Sequence, residues 1–107
     1  LPTAPEALAL DAMIQTVDLL DELGAQSYRV LLTMVPSAPR KTGQQARAAL
    51  KSLPMFSKSI RRAAAFEKAS LKGVPVYEVK GDRAAKPAWN DYQAVCKEMM
   101  EVINANG

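Results

Sequence analysis

The pattern of apolar and polar positions is dominated by one stretch, Tyr28–Pro36, where Val30, Leu31, Leu32, Met34 and Val35 are interrupted only by Thr33. A strand with one face in water would alternate apolar and polar residues. A short, nearly continuous apolar run closed by a proline is typical of a strand covered on both faces, usually in a parallel sheet between helices. A segment of buried helix is the alternative, which the brevity of the run and the closing Pro36 and Gly43 disfavour.

The rest of the sequence offers this strand few neighbours. Only short extended candidates remain, namely residues 1–3, 55–57 and 74–79. We therefore predict an α/β fold: residues 1–107 form a single piece of a doubly wound, mostly parallel sheet whose other strands lie upstream in a longer protein. One edge of the Tyr28–Val35 strand would then be exposed, and the chain alone would be marginally stable or would pair with itself. A small complete α+β domain is the alternative.

Four helices are predicted from apolar residues at helical spacing. The first carries a stripe from Leu10 to Leu20 and ends at Gly24. The second begins at a capping box with Thr42 as N-cap and ends at Pro54. The third spans residues 61–72 before Gly73, and the fourth begins near Ala85 or Pro87. The fourth carries the apolar stripe Tyr92, Val95, Cys96, Met99 and Ile103, where Cys96 is expected to pack.

Composition narrows the classes of function. At 107 residues, with 49% hydrophobic and 23% charged residues, the chain has the composition of a globular domain. One cysteine and no histidine exclude a disulfide framework, a Cys/His zinc cluster and histidine-based catalysis within the chain. There is no apolar run long enough to span a membrane, and no Gly-rich phosphate loop. We therefore predict no catalytic residue and no metal ligand here.

Charge is distributed unevenly along the sequence. Residues 1–26 carry five acids and no base, whereas residues 27–72 carry ten bases and one acid. Such a basic region suits an anionic partner such as nucleic acid, although solvated helix faces would give the same count.

Three landmarks occur in a recognisable order: LPTAPEALAL before an acidic amphipathic helix, YRVLLTMVP as a central strand, and SIRRAAAFEKASLKGVPVYEV before a closing helix. Together they resemble the C-terminal half of a ParA-type partition ATPase, of the deviant P-loop family that also contains MinD-like proteins. The resemblance covers essentially the whole chain. A MinD-like protein would end in a basic amphipathic membrane helix, whereas this chain ends in the nearly uncharged EVINANG.

The resemblance implies an ATP- and magnesium-dependent homodimer of the bacterial cytoplasm and nucleoid. It would bind DNA nonspecifically in plasmid or chromosome segregation, and a centromere-binding partner would stimulate its hydrolysis. The P-loop and the magnesium-binding strand would lie outside these residues, so the piece alone would be inactive. A stand-alone adaptor or DNA-binding module without catalysis is the rival reading.

The resemblance also implies site residues. The end of the central strand and the start of the third landmark would lie beside the nucleotide base, with candidates Thr33, Met34, Pro36 and Ile60. Basic residues of the third landmark would meet DNA phosphate, with candidates Arg61, Arg62, Lys58, Lys68 and Lys72. The alternatives are ordinary core and loop for the first set. For the second they are surface solubility, or an Arg61 that packs near the nucleotide.

Overall fold

The computed structural model describes residues 1–37 and 40–106, apart from the side chain of Asn106. Within them the chain is a small α/β unit with two short parallel strands and four α-helices. In chain order the elements are β1 (Pro2–Thr3), α1 (Ala7–Glu22), β2 (Leu31–Leu32), α2 (Thr42–Ala49), α3 (Ala64–Lys72) and α4 (Ala85–Asn106). A 3-10 helix, Val76–Glu78, lies between α3 and α4 where the sequence indicated an extended segment. This arrangement is compatible with part of a larger parallel sheet.

The central strand, which consists of β2 and its neighbours from Val30 to Val35, forms hydrogen bonds along both of its edges. On one side β2 pairs in parallel with β1, with Leu31 opposite Pro2 and Leu32 opposite Thr3. On the other side lie residues 54–62, here called the edge segment, which form parallel bridges at Val30 and Val35. The expectation of an exposed edge on the Tyr28–Val35 strand is therefore wrong, because residues of this chain cover both edges. Within the described residues, it is β1 that pairs on one side only.

Burial along the central strand alternates, contrary to the expectation of two covered faces. Val30 and Leu32 are fully buried, whereas Leu31 and Thr33 are half-buried. Alternate residues of a strand face opposite sides of the sheet. One face is therefore packed completely and the other incompletely by the described residues, although the sequence of the strand is apolar on both.

The packed face belongs to the larger of two cores, which joins α1, β2 and α2. Its fully buried side chains include Val17, Val30, Leu32 and Leu50. The end of α1 follows its sequence closely. Gly24 adopts φ 79°, its N–H donates to the Asp21 carbonyl, and the next N–H donates to the Leu20 carbonyl. This is the Schellman arrangement that a glycine just past a helix permits.

The smaller core joins α3, the 3-10 helix and α4, and consists mainly of alanine and valine. Trp89 of α4 stacks at a tilt on Tyr77, with ring centroids 4.9 Å apart, and Tyr92 meets the edge of Phe66 at 5.6 Å. Only Val95 of the predicted apolar stripe on α4 is buried; Cys96 is exposed, so its predicted packing role is wrong. The helix packs by its N-terminal half.

The second helix differs from its prediction at its start, and one of its arginines is bound to the edge segment. Lys41 is the N-cap, Thr42 is already helical, and no side chain caps the first turn, so the predicted capping box is wrong. Arg47 does not point freely into water. Its Nη1 donates to the Phe56 carbonyl at 3.0 Å and its Nη2 to the Ser57 carbonyl at 2.9 Å. Arg47 therefore ties α2 to the edge segment.

The third helix begins at Ala64, three residues later than predicted. The N–H of Arg61 donates to Asp91 and the N–H of Arg62 donates to the carbonyl of Val35. These bonds keep both arginines in the edge segment, because their backbone pairs with neighbours far along the chain. Arg61 and Arg62 therefore do not belong to the helix that carries Lys68 and Lys72.

Gly43 brings α2 unusually close to the end of the central strand. A Cβ at this position would lie 2.6 Å from Cγ1 of Val35, which is closer than carbon atoms approach. Gly43→Ala is expected to destabilise the chain by about 1 kcal/mol, because an overpacking cost of about 1–3 kcal/mol exceeds the helix propensity gained. Urea unfolding measures the change. In a Val35→Ala background the same substitution should cost less; an equal cost would contradict the clash.

Candidate functional site at the carboxyl edge of the sheet

The carboxyl ends of β1, β2 and the edge segment meet at one side of the parallel sheet. Ligands bind at this side in open α/β sheets, beyond the ends of the strands. The residues directly after β2 are Thr33, Met34, Val35 and Pro36, and the end of the edge segment contributes Ile60, Arg61 and Arg62. The structure thus brings the predicted nucleotide residues to the same edge as Arg61 and Arg62, two of the five predicted DNA-binding residues.

Met34 has an unusual backbone conformation at this edge. Its φ is 55°, and it is the one non-glycine residue with positive φ among the described residues. Its side chain is 53% exposed. A left-handed conformation costs an L-residue about 1–2 kcal/mol. Strained residues are concentrated at ligand sites, and an exposed, polarisable thioether suits a flat apolar ligand.

The other three predicted nucleotide residues differ in how much surface they offer. Thr33 is half-buried, and its N–H donates to the Thr3 carbonyl at 2.9 Å. Pro36 is half-buried and lines a shallow cavity of about 290 Å³ together with Val35 and Gly43. Ile60 is only 3% exposed, and its N–H and carbonyl both bond to the central strand. Ile60 therefore shapes the edge from within and presents little surface.

Arg61 is held by a carboxylate of α4. Its Nε donates to Oδ2 of Asp91 at 2.7 Å, its Nη2 to Oδ1 at 3.0 Å, and its backbone N–H to Oδ2 at 3.0 Å. The Asp91 side chain is 16% exposed and that of Arg61 is 46% exposed. The hydrogen bonds that Arg61 donates to Asp91 raise the pKa of the guanidinium. This two-pronged geometry is the strongest form of an arginine–carboxylate pair.

A second carboxylate of α4 holds the beginning of the same segment. Oε2 of Glu98 accepts the Ser57 N–H at 2.7 Å, and Oε1 accepts the Ser57 hydroxyl and the Lys58 N–H, each at 3.0 Å. The side chain of Lys58 is exposed. Asp91 and Glu98 are seven residues apart and lie on one face of α4, so the helix binds the edge segment at two points.

The side chains of the remaining predicted basic residues do not bond to Asp91 or Glu98. Arg62 is exposed, and no salt bridge to it is found in residues 1–37 and 40–106. Lys68 of α3 donates to Asp82 at 2.9 Å, a bond that lowers the pKa of that carboxyl. Lys72 is exposed in the last turn of α3, four residues beyond Lys68 and on the same side of the helix.

Sequence reasoning did not single out Asp91 or Glu98. Their seven-residue spacing was a usable signal, since it puts two carboxylates on one face two turns apart. Nothing in the local sequence named their partners, which lie 30 and 41 residues away for Arg61 and Ser57.

The two carboxylates predict how acid affects stability. Burial raises the pKa of Asp91, but the bonds from Arg61 outweigh it and hold that pKa below 3.8; bonds from Ser57 and Lys58 likewise outweigh burial and hold the pKa of Glu98 below 4.5. A carboxylate whose pKa is lowered by folding stabilises the folded state at pH values above its ordinary pKa. This contribution is lost as the pH falls through the folded-state pKa. The urea concentration at the unfolding midpoint is therefore expected to decrease when the pH is lowered below about 5.

A double variant checks that assignment. Asp91→Asn with Glu98→Gln should have a lower urea midpoint at neutral pH and a smaller fall on acidification. Parallel curves for the double variant and the original chain would show that these carboxylates do not set the acid response.

A wider cleft opens at the opposite end of the central strand. It has a volume of about 960 Å³ and is lined by residues of the α1–β2 connection and the end of α4, among them Tyr28, Phe56, Met99 and Ile103. Although it is larger, it lies at the amino end of the strand, where parallel sheets rarely place ligands. The smaller cavity beside Pro36 and Gly43 is the better candidate site.

Two kinds of structure are absent from the described residues. No group of three or more His, Cys, Asp or Glu residues in them is arranged to hold a metal ion. No helix in the described ranges is both long and apolar enough to cross a membrane.

The chain is similar to a protein named Maintenance of carboxysome distribution protein A, from Gloeobacter kilaueensis. The two are 35% identical over an alignment 103 residues long, which covers 92% of this chain and 46% of the relative. The chain thus spans about half the length of that relative. No protein-family model matches the chain.

Proposed function

We propose that this chain is the C-terminal part of a ParA-type ATPase that distributes a cellular cargo through ATP-dependent dimerisation, nonspecific DNA binding and ATP hydrolysis. The observation that carries the proposal is the similarity, over 92% of the chain, to a protein about twice as long whose name refers to carboxysome distribution. The three sequence landmarks support the same family. The half-buried outer face of β2 fits a further layer of chain packed against it, because Leu31 is apolar but incompletely covered, and the one-sided pairing of β1 leaves an edge for a further strand.

The carboxyl edge suits one part of an adenine nucleotide. Met34 offers an exposed apolar surface, and Pro36 lines the adjacent cavity without a charge, so both fit a flat base. The phosphates and magnesium find no suitable group among the described residues, which lack a Gly-rich loop and a cluster of metal ligands. We therefore assign base contact to Thr33, Met34 and Pro36, with Ile60 supporting them from below, and leave phosphate binding to the rest of the longer protein.

DNA binding is assigned to the basic residues around the edge segment and α3. Arginine suits phosphate because its planar fork can bond two oxygens. The candidates from the sequence are Arg61, Arg62, Lys58, Lys68 and Lys72, of which Arg61 and Lys68 already hold salt bridges. Such contacts carry no sequence information, so the binding would be nonspecific.

Replacing both arginines tests this assignment. In the longer protein, Arg61→Ala with Arg62→Ala is expected to weaken binding to any duplex and to flatten its salt dependence by about 0.9 in log–log slope per lost contact. Duplex titrations at several salt concentrations measure the slope, and ATP affinity is measured in parallel. Arg83→Ala with Lys86→Ala removes the same charge from exposed positions and should leave the slope unchanged. A collapse of ATP affinity with an unchanged slope would place the arginines in the nucleotide site.

The cargo has two candidates. The resemblance to partition ATPases favours a plasmid or chromosome, recognised through a centromere-binding partner. The named relative favours a protein compartment. Deleting the gene distinguishes them: rapid loss of a replicon indicates the first, and clustering of a compartment with stable replicons indicates the second.

The experiment that tests the proposal as a whole is to express the protein encoded by the full reading frame. Magnesium-dependent ATP hydrolysis, ATP-dependent dimerisation and duplex binding are the expected results. A full-length product with no phosphate-binding loop that binds DNA without nucleotide would instead support a stand-alone, non-catalytic DNA-binding module or adaptor.

A further inference from the structure

The two adjacent arginines of the edge segment have different surroundings. Arg61 forms a parallel bridge with Val35, and consecutive side chains of an extended segment point to opposite sides. Arg61 faces α4 and its Asp91, and Arg62 faces away. A count of basic residues treats the pair as equal, but their positions in the fold make them distinct.

The ion pair takes up the edge of Arg61 that phosphate would use. Nε and Nη2 form the fork that matches two oxygens of a carboxylate or phosphate, and both already donate to Asp91. The Asp91 oxygens also accept the Arg61 backbone N–H, so the carboxylate is fixed to the segment by three bonds. An outside phosphate must displace a partner whose position is already set, and the pair as a whole has no net charge to attract it.

We infer that Asp91 is a positioning residue that commits Arg61 to the attachment of α4 and leaves Arg62 as the arginine that meets phosphate. The inference rests on the proposed DNA binding for its biological meaning, but the pairing itself is a property of this chain. Asp91 thereby sets both the position of the edge segment and the charge that the surface presents to a polyanion.

Inorganic phosphate provides a test that needs no DNA. In the full 107-residue chain, the arginine Nε–H signals are followed by NMR during phosphate titration. The Arg62 signal is expected to shift while that of Arg61 stays in place. In Asp91→Asn, both signals should shift. Glu98→Gln adds the same charge and loosens the same segment without freeing a guanidinium, so its Arg61 signal should stay as in the original chain.

Duplex titrations extend the test to the proposed partner. In the longer protein, Arg62→Gln should lower the magnitude of the log–log salt slope by about 0.9, Arg61→Gln should leave it unchanged, and Asp91→Asn should raise it by about 0.9.

Three results of the phosphate titration would overturn the inference: a shift of the Arg61 signal in the original chain, no shift of the Arg62 signal, or no shift of the Arg61 signal in Asp91→Asn. If phosphate gives the expected pattern but no variant or original protein binds duplex, the proposed DNA binding fails and the role of Asp91 stands.

Discussion

The 107-residue chain by itself is expected to hydrolyse no ATP above the buffer background. Phosphoryl transfer requires a cradle for the β- and γ-phosphates and magnesium held by oxygen ligands. The sequence has no Gly-rich loop with a lysine, and its candidate nucleotide residues suit only the base. A magnesium-dependent phosphate-release assay on the purified chain measures the rate.

The full reading frame supplies the comparison. If the proposed function is right, the longer protein hydrolyses ATP under conditions where the chain alone does not. Replacing the lysine of the phosphate loop in the longer protein should lower its rate of ATP hydrolysis to that of the 107-residue chain. Magnesium-dependent ATP hydrolysis by the chain alone would contradict the proposal that the rest of the longer protein binds the phosphates and magnesium.

Leu32→Ala is expected to produce the largest loss of stability among single substitutions in the chain. Leu32 is 1% exposed and lies in the larger core, between the pairing partners of the central strand. Such a truncation costs about 2–5 kcal/mol, because apolar burial is lost and a cavity remains. Whole domains are stable by about 5–15 kcal/mol, so this single change removes a large share.

Leu71→Ala is the matched control for that substitution. It makes the same change on α3, where the leucine is 88% exposed, and is expected to alter stability by less than about 0.5 kcal/mol. Urea unfolding of both variants, followed by circular dichroism, gives the two midpoints. Equal losses would show that the central strand is not the core of the fold.

The candidate site was partly predictable from the sequence. Pro36 and the apolar run before it located the carboxyl end of a strand, and with it the region of Thr33 and Met34. The left-handed backbone of Met34 carries no sequence signal, because methionine ordinarily avoids that conformation. The pairing of Arg61 with Asp91 was equally hidden, since it depends on where α4 lies against the edge segment.

Local interactions were readable from the sequence by itself. The stripe on α1 and its end at Gly24 followed from helical spacing and from the conformational freedom of glycine, both of which act within a few residues. The end of α3 at Gly73, with φ 66°, followed in the same way. The central strand followed from its nearly continuous apolar run, of which Leu31–Leu32 forms the regular strand β2.

The beginning of α3 was decided only by the tertiary structure. Local propensity extends that helix back to Arg61, but the N–H groups of Arg61 and Arg62 bond to Asp91 and to Val35, which are distant in sequence. Helix formation gains little at its first residues, whose N–H groups have no partner within the helix. Bonds to the sheet and to α4 satisfy those same groups, so they outweigh propensity and keep both arginines in the edge segment.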